Sequence, residues 1–297
     1  MNNLELLREL SSGINEHQTA KLYTSEKMLD YTSDFELSFL DIQALTLALS
    51  VASEFYDVSA VVSADYSHVF GVALAPTLVE GYSKVMDANP IDIQNSVIAV
   101  TQLVDSEFAR MLTKGNLLVA PEYSEEAKKI LDKKDIKFIT LNTPLVEFKN
   151  FIPENIVATP FGTIFESPNK SELNKDTFKV ESITKPTVEQ IEDAVFAWKI
   201  SKYVKSRGVV ISKGFKTTAI IQGVQNSALE LALDYSCDTS KDAIIAVDGM
   251  ITPYDINVIA QGRISAVILP QVTKEIVELA NKYNIVLIST GFTNYKY

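Results

Sequence analysis

The sequence predicts an α/β protein made of two duplicated units, and three observations support this fold class. First, whole segments repeat at a nearly constant spacing: Ala99 and Ala246 are 147 residues apart, as are Gly115 and Gly262. A period this long with two copies indicates a duplicated globular unit rather than a solenoid, whose repeats span about 20 to 50 residues. Second, short β-branched runs alternate with longer segments whose apolar residues recur every three or four positions, which is typical of α/β layering. Third, 297 residues are enough for about two domains with ordinary hydrophobic cores.

Within each copy, the sequence predicts a strand, a helix and a further strand in that order. Each first strand is an apolar run that ends at a proline, Pro121 or Pro270, which cannot donate to a central sheet ladder. Each helix after it places its apolar side chains on one stripe. The predicted strands are 118–119 and 266–269, the predicted helices are 125–133 and 273–282, and the following strands are 136–139 and 285–288.

A connecting segment separates the two copies. Residues 151–185 are rich in Pro, Asn, Ser and Lys without a clear period, which predicts a connecting excursion. Thr187 then precedes Gln190 by three residues, a capping-box pattern that predicts a helix start. We therefore expect a first unit over 1–185, including an N-terminal arm and the excursion, and a second unit over 186–297. Two similar halves form a crevice where they meet, and small ligands tend to bind in such crevices.

Charge and cysteine content limit the possible partners. The chain has 27 Lys and Arg against 38 Asp and Glu. This net negative charge has the wrong sign for a protein that binds a nucleic-acid backbone. The N-terminus lacks the apolar run of a signal peptide, and no stretch has the roughly 18 apolar residues of a membrane span. Cys237 is the one cysteine, which excludes an intramolecular disulfide. We expect a cytoplasmic protein with no nucleic-acid or membrane partner.

Metal binding is also not expected. Zinc sites use three or four His, Cys or acidic ligands within bonding reach. The two histidines and one cysteine of the chain, His17, His68 and Cys237, are far apart in the sequence. The sequence therefore predicts no zinc site and no deamination chemistry.

Short motifs occur in one collinear order along nearly the whole chain. They are His17-Gln18 near the N-terminus, Leu37-Ser38, Gly71-Val72-Ala73, Ala120-Pro121-Glu122-Tyr123, Phe196-Ala197-Trp198-Lys199, and Gly223 with Gln225. In this order they resemble the transformylase half of a bifunctional purine enzyme family, AICAR transformylase/IMP cyclohydrolase. The sequence is expected to lack the cyclohydrolase domain that precedes this half in the family.

The resemblance implies a fold, an assembly and a reaction. The implied fold is two cytidine-deaminase-like, three-layer α/β subdomains, and the implied assembly is an intertwined homodimer. The implied reaction is formyl transfer from the co-substrate 10-formyltetrahydrofolate to the amino group of AICAR, a purine-like ribonucleotide. This chemistry needs a base for the amine proton, a donor or cation for the formyl oxygen, and basic groups for the phosphate.

The chain departs from the family at the positions of the catalytic loop. Counted back from Gly71, the Lys-His pair of the family falls on Asp65 and Tyr66, and its nearby Asn falls on His68. These three residues are the candidate catalytic positions, although a plain surface turn is an alternative interpretation. A carboxylate in place of an ammonium repels a developing oxyanion instead of stabilising it. The replacements predict that the family mechanism does not operate in its usual form.

Substrate contacts are also altered. Three arginines that bind phosphate in the family have no counterpart in this chain. The residues at their positions are Ser11-Ser12, Ala228 and Thr293. The candidate substrate-binding residues are Arg207 as an anion contact, Asn116 where the family has Asp, Gln225 and Lys199.

Several residues in and after the motif at 196–199 also have interpretations that involve no ligand. Lys199, Lys202 and Lys205 recur at helical spacing, and the alternative for them is a solvated helix face. Trp198 on the same helix favours core or dimer packing over a stacking platform.

Two hypotheses of different classes follow. In the first, the protein is a formyltransferase of the family, or a relative acting on a purine-like ribonucleotide, with re-sited catalytic groups such as Tyr66 and His68. In the second, it is a non-catalytic paralogue that serves as a nucleotide-binding, regulatory or structural dimeric module in purine biosynthesis. Loss of the charged phosphate contacts favours the second on physical grounds, whereas the family resemblance favours the first.

Overall fold

The computed structural model describes residues 5–24, 27–169, 173, 177–206, 208–223 and 225–294. An N-terminal arm comes first, in which β1 (Leu6–Leu10) and β2 (Ala20–Tyr23) pair antiparallel. Two six-stranded sheets follow, one from each half of the chain. The predicted α/β class with two duplicated units is confirmed.

The first sheet has six strands in the order β3-β8-β7-β6-β4-β5. They are β3 (Tyr31–Thr32), β4 (Ala60–Ala64), β5 (Val69–Leu74), β6 (Val97–Val100), β7 (Leu117–Ala120) and β8 (Lys137–Leu141). β6, β7 and β8 are parallel to one another, whereas β3, β4 and β5 pair antiparallel with their neighbours. Every residue of β4, β6 and β7 is buried, as expected for strands covered on both faces.

The connecting segment contains a β-hairpin that the sequence did not predict. β9 (Asn155–Thr159) and β10 (Gly162–Glu166) pair antiparallel around a two-residue turn. Apolar side chains lie on both faces of this hairpin, so the segment lacks the alternation of apolar and polar residues that identifies a half-buried strand. The connecting excursion expected over 151–185 therefore includes this hairpin.

The second sheet repeats the first, in the order β11-β16-β15-β14-β12-β13. Its strands are β11 (Lys179–Val180), β12 (Val209–Ser212), β13 (Thr217–Ile221), β14 (Ile244–Val247), β15 (Ala266–Leu269) and β16 (Val286–Ser289). The matching order confirms the repeat found in the sequence, because β6 and β14 begin 147 residues apart and β7 and β15 begin 149 apart. β11, which precedes residue 186, pairs with β16 of this second sheet.

In the described part of the chain, four α-helices accompany each sheet. Those of the first half are α1 (Phe39–Ala52), α2 (Leu78–Ala88), α3 (Ser106–Met111) and α4 (Glu125–Lys133). Those of the second half are α5 (Val188–Ser201), α6 (Gln225–Ser236), α7 (Pro253–Gln261) and α8 (Lys274–Lys282). None of the helices among these residues has both the length and the apolar character needed to cross a bilayer.

Helix starts follow the local sequence. Thr187 caps α5 through a complete capping box with Gln190, so the predicted start is confirmed. The equivalent helix α1, also 14 residues long, begins with a capping box of Ser38 and Asp41. Thr273 caps α8, and the predicted helices 125–133 and 273–282 agree with α4 and α8. These side chains satisfy amide groups that the first helical turn leaves unpaired.

A hydrophobic core shared by both halves lies around α1 and α5. The rings of Phe55 and Phe196 are 5.4 Å apart between centroids and connect the two halves within this core. Trp198 is 1% exposed and packs edge-on against Phe292. The prediction that Trp198 serves packing is confirmed, and the packing is in the core. The remaining helices cover the outer faces of the sheets in two separate cores.

Candidate functional site

The two halves meet along the outermost strands of their sheets, β5 and β13. The Val72 amide donates to Thr217 Oγ1 over 3.0 Å, and the Leu74 amide donates to the Phe215 carbonyl over 2.8 Å. Thr217 is 1% exposed, so its hydrogen bond with Val72 is shielded from water, and the two bonds together fix how the halves face each other. We call this contact the seam.

A cavity of about 140 Å³ lies at one end of the seam. Both halves line it, with His68, Val69, Phe70, Ala88, Asn89 and Asp92 from the first and Thr217–Gln222 and Tyr235 from the second. No lysine or arginine is among the lining residues that the structure describes. Small-molecule sites span about 300 to 1,000 Å³, so this cavity offers room for only part of such a ligand within one chain. It is the candidate site, because it is where the predicted crevice and the predicted catalytic loop coincide.

The predicted catalytic segment forms the tight turn between β4 and β5. Asp65 Oδ1 accepts hydrogen bonds of 2.6 Å from the backbone amides of both Ser67 and His68. Asp side chains stabilise turns in this way by imitating a backbone acceptor. The Asp65 carboxylate is therefore engaged by the turn itself and does not line the cavity.

His68 is the member of the predicted catalytic set that reaches the cavity. Its Nδ1 lies 2.6 Å from Ser67 Oγ and 3.5 Å from Asp65 Oδ1, and its ring stacks on Phe70. Ser67 Oγ also lies 3.3 Å from Asp65 Oδ1, so a serine hydroxyl connects the carboxylate to the imidazole. Tyr66 is exposed and is not part of the cavity lining. The structure thus brings one of the three predicted catalytic side chains to the site.

Asn116, a predicted substrate contact, is buried in the first half. Its side-chain amide donates to the carbonyls of Ile93 and Ser96, over 2.6 and 3.3 Å. Its carbonyl oxygen accepts from the Thr113 amide and hydroxyl. These bonds connect the loop before β6 to the turn before β7. Asn116 is absent from the described lining of the candidate cavity.

Lys199 and its neighbours gather around Glu54 of the first half. Lys199 Nζ donates to the Glu54 carbonyl over 2.8 Å. The Glu54 carboxylate accepts from Tyr203 at 2.7 Å, Lys149 at 3.1 Å and Lys202 at 3.4 Å. The side chains of Glu54 and Lys202 are each 9% exposed. We call these five residues the Glu54 cluster.

The interpretation of the lysines after Trp198 as a solvated helix face is wrong for Lys199 and Lys202. Both lie against the first half, and of the three only Lys205 is exposed. Helical spacing identifies a polar stripe, but it carries no information about which distant segment packs on that stripe.

The cluster changes the ionisation of its members. Burial raises the pKa of Glu54, but the Tyr203 hydrogen bond and the charges of Lys202 and Lys149 together outweigh burial, so the pKa is lowered overall. Burial, and then the negative charge of Glu54, raise the pKa of Tyr203 far above its usual range. Glu54 is thus a charged acceptor and Tyr203 a neutral donor across the physiological pH range.

Two further predicted contacts have no described side chain. Arg207 lies outside the residues that the structure describes, and Gln225 is the first residue of α6, with its side chain also outside that description. Among the described residues, no group of three His, Cys, Asp or Glu side chains is arranged to hold a metal ion.

The contribution of β13 and of the loops around it is not apparent from the sequence motifs. Gln222 Nε2 lies 3.5 Å from the Ser67 carbonyl and so connects the end of β13 to the turn between β4 and β5. Asp92 and Tyr235 also line the cavity. These residues follow no spacing that a sequence motif describes, because three separate segments bring them together.

Two of the larger cavities lined by described residues lie elsewhere. A cleft of about 580 Å³ occupies the opposite end of the seam, with Phe55, Phe196 and Phe215 in its wall, and Lys199 lines this cleft rather than the candidate site. A cavity of about 670 Å³ surrounds Cys237 on the outside of the second half, between α6 and α7. Neither contains a residue of the predicted catalytic turn.

Known proteins with similar sequences identify the type of protein. A family model described as the AICARFT/IMPCHase bienzyme matches residues 2–235. The bifunctional purine biosynthesis protein PurH of Acetivibrio thermocellus is 30% identical over 315 residues, covering 99% of this chain and 60% of that protein. PurH of Caldicellulosiruptor bescii is 32% identical over 313 residues with the same coverage. The chain thus spans about 60% of the length of these relatives.

Proposed function

Because the chain belongs to the AICARFT/IMPCHase bienzyme family, we propose that it is a protein of purine nucleotide biosynthesis whose transformylase site has lost formyl transfer. In this proposal it acts as a nucleotide-binding module of the family. The observation that carries the proposal is that Asp65, which the resemblance aligns with the family lysine, uses its carboxylate to cap the turn between β4 and β5.

The chemistry of formyl transfer explains why this replacement matters. Attack of the AICAR amine on the formyl carbon places negative charge on the formyl oxygen, which a cation or hydrogen-bond donor must stabilise. Removing one such group costs about 10² to 10³ in rate, and the absence of a matched base costs about 10² more. No lysine or arginine among the described lining residues supplies the missing charge. A rate that ordinary assays cannot detect is the expected result.

The same cavity supports binding of a smaller group. Its walls combine apolar side chains, such as Val69 and Phe70, with the polar groups of Asn89 and Gln222. Apolar walls with a few polar groups suit a planar heterocyclic base, with the amides able to bond to its edge. The ribose phosphate of a purine-like ribonucleotide would extend outside this cavity.

The alternative is retained formyl transfer with re-sited groups. It is favoured by the contact of His68 Nδ1 with Ser67 Oγ, which orients an imidazole at the cavity wall. Imidazole is the side chain best suited to move a proton at neutral pH. In this alternative, 10-formyltetrahydrofolate is the co-substrate and His68 takes the amine proton.

An assay of tetrahydrofolate release distinguishes lost formyl transfer from retained formyl transfer. Purified protein with 10-formyltetrahydrofolate and millimolar AICAR is expected to show no release above the protein-free rate, while a PurH relative assayed in parallel shows turnover. Turnover near one per second would overturn the proposal. In that case, loss of activity in His68→Ala with activity kept in Tyr66→Phe would support the alternative.

Binding is measured separately by equilibrium dialysis with labelled AICAR and with inosine. Saturable binding of either, weakened at least tenfold by a Phe70→Ala substitution, supports a nucleotide-binding module. Absence of binding to both would contradict that part of the proposal.

A further inference from the structure

The indole N–H of Trp198 is buried without a hydrogen-bond acceptor. Trp198 is 1% exposed, and no group among the residues that the structure describes accepts a hydrogen bond from its Nε1 atom. Its ring packs edge-on against Phe292, at 6.0 Å between ring centroids, so the apolar part of the side chain is well accommodated. An indole N–H can only donate, and a buried donor without an acceptor destabilises a fold. The N–H therefore indicates an acceptor that the described residues do not supply.

A small cavity lies beside this indole. The described residues that line it are Glu54, Leu173, Trp198, Lys199, Lys202, Phe292 and Asn294. Its volume of about 10 Å³ is close to the smallest volume that holds one water molecule, and it is far below the volume of a site for an organic ligand. The lining residues come from the first half, the second half and the segment between them, so an occupant contacts parts of the chain that are distant in sequence.

The cavity wall offers the polar groups that a buried water molecule requires. Such a water typically makes about three hydrogen bonds. It can accept from Trp198 Nε1, it can donate to the carboxylate of Glu54, and the side-chain amide of Asn294 is able to do either. Lys199 and Lys202 donate to Glu54, and an ammonium group cannot accept from the indole. The indole, rather than a lysine, is therefore the group that requires the occupant.

The Glu54 carboxylate retains a position for this bond. Its Oε1 atom accepts from Tyr203 and Lys202, whereas Oε2 accepts from Lys149. A carboxylate has about four lone-pair positions, so a further donor can bond to Oε2. A water molecule that donates here gains a charge-assisted hydrogen bond, which is stronger than a bond to a neutral acceptor.

We propose that this cavity is a binding site for one water molecule, which accepts from Trp198 Nε1 and donates to the Glu54 carboxylate. The water extends the Glu54 cluster to the indole of α5 and to the end of the chain at Phe292 and Asn294. It lies beside the core that both halves share, so it contributes to the contact between them.

Nuclear magnetic resonance of the native chain tests the site directly. Trp198 is the one tryptophan, so its indole proton gives one signal. We expect dipolar cross-relaxation between this proton and water, with the sign that distinguishes a bound water from chemical exchange. Absence of that cross-relaxation would overturn the proposal. Exchanging chloride for gluconate in the buffer tests for an anion, and an indole signal that shifts saturably with chloride would assign the cavity to an anion instead of water.

Removing only the N–H gives a second test with opposite signs for the two cases. The tryptophan analogue 3-benzothienylalanine has nearly the same shape, with sulfur in place of the N–H, and can be incorporated at the one tryptophan position. With a bound water, the analogue removes one of its hydrogen bonds, and the equilibrium constant for folding is expected to fall about five- to tenfold. Without a bound water, the analogue removes an unpaired buried donor and stabilises the fold. A higher urea midpoint with the analogue is thus evidence against the water.

Two glutamate variants test the link to Glu54. Glu54→Gln replaces the charged acceptor of the water and is expected to shift the indole proton signal. The matched control is Glu125→Gln, which breaks an exposed ion pair with Lys128 and is expected to leave that signal unchanged. An indole signal that is equal in the native chain and in both variants would exclude Glu54 as the acceptor and overturn the proposal.

Discussion

The Tyr203 hydroxyl donates a 2.7 Å hydrogen bond to Glu54 Oε1, and these two residues occupy equivalent positions 149 residues apart in the duplicated units. Helix α5 begins and ends 149 residues after helix α1. Glu54 comes just after the end of α1, and Tyr203 comes just after the end of α5. Equivalent positions come into contact where an approximate two-fold axis passes between two units. The Glu54 cluster therefore marks the internal symmetry axis and joins the halves at that point.

Removing the charge of Glu54 is expected to destabilise the whole fold. Glu54→Gln keeps the shape and the Tyr203 contact but leaves Lys149 and Lys202 without their shared carboxylate. Loss of one partner from a buried ion pair costs about 3 kcal/mol, and partial exposure of Lys149 reduces this to about 2 kcal/mol. Urea denaturation measures the change. Glu125→Gln, which breaks an exposed pair with Lys128, is the control and is expected to leave the midpoint unchanged.

The Glu54 cluster also predicts a pH dependence with a definite sign. The pKa of Glu54 is lowered on folding, so its contribution is present above the ordinary carboxyl pKa of 4.5 and is lost as the pH falls through the lowered value. The stability difference between the native protein and Glu54→Gln should therefore be constant near pH 7 and shrink below pH 4.5. Urea midpoints of both proteins across this range provide the test, and a gap that widens in acid would contradict it.

The role of Asp65 in capping the turn between β4 and β5 predicts a contrast between two substitutions. Asp65→Ala removes the acceptor for the amides of Ser67 and His68 and is expected to cost about 1 kcal/mol. Asp65→Asn keeps an oxygen in the same place and should cost less than half as much. Thermal unfolding measures both. Equal losses would show that the negative charge, rather than the turn, is what the position requires.

The buried hydroxyl of Thr217 makes one of the hydrogen bonds that hold the seam together. Thr217→Val preserves shape but leaves the Val72 amide without its acceptor, and an unpaired buried amide costs about 1 to 3 kcal/mol. Thr218→Val is the matched control, because Thr218 Oγ1 makes only a long 3.4 Å contact within its own half. Hydrogen exchange should show faster exchange of the Val72 amide in Thr217→Val and not in Thr218→Val. Similar exchange of the Val72 amide in both variants would show that the Thr217 hydroxyl does not stabilise the seam.

Local sequence was enough to predict several elements of each half. Pro121 and Pro270 mark the ends of β7 and β15, and the stripes after them are α4 and α8. Thr187 and Gln190 identify the start of α5. These predictions succeeded because capping, strand termination and helical periodicity act between residues close together in the chain.

The site was predicted less completely. His68 lines the cavity, whereas Asp65 is held in the turn and Tyr66 is exposed and not among the described lining residues. Alignment to a motif places residues along the chain, but it does not say which side chains of a tight turn face the cavity. That depends on hydrogen bonds such as the one from the Ser67 amide to Asp65.

The sequence by itself determined the duplication, the α/β layering and the family resemblance, because these are encoded in spacing and in short-range pattern. The tertiary structure alone decided that Lys199 and Lys202 pack against Glu54, and that β5 and β13 form the seam beside the cavity. Glu54 and Lys202 are separated by nearly half the chain, and Val72 and Thr217 by a similar distance. Contacts at such separations arise from how two complete sheets pack, and no local pattern of residues records that packing.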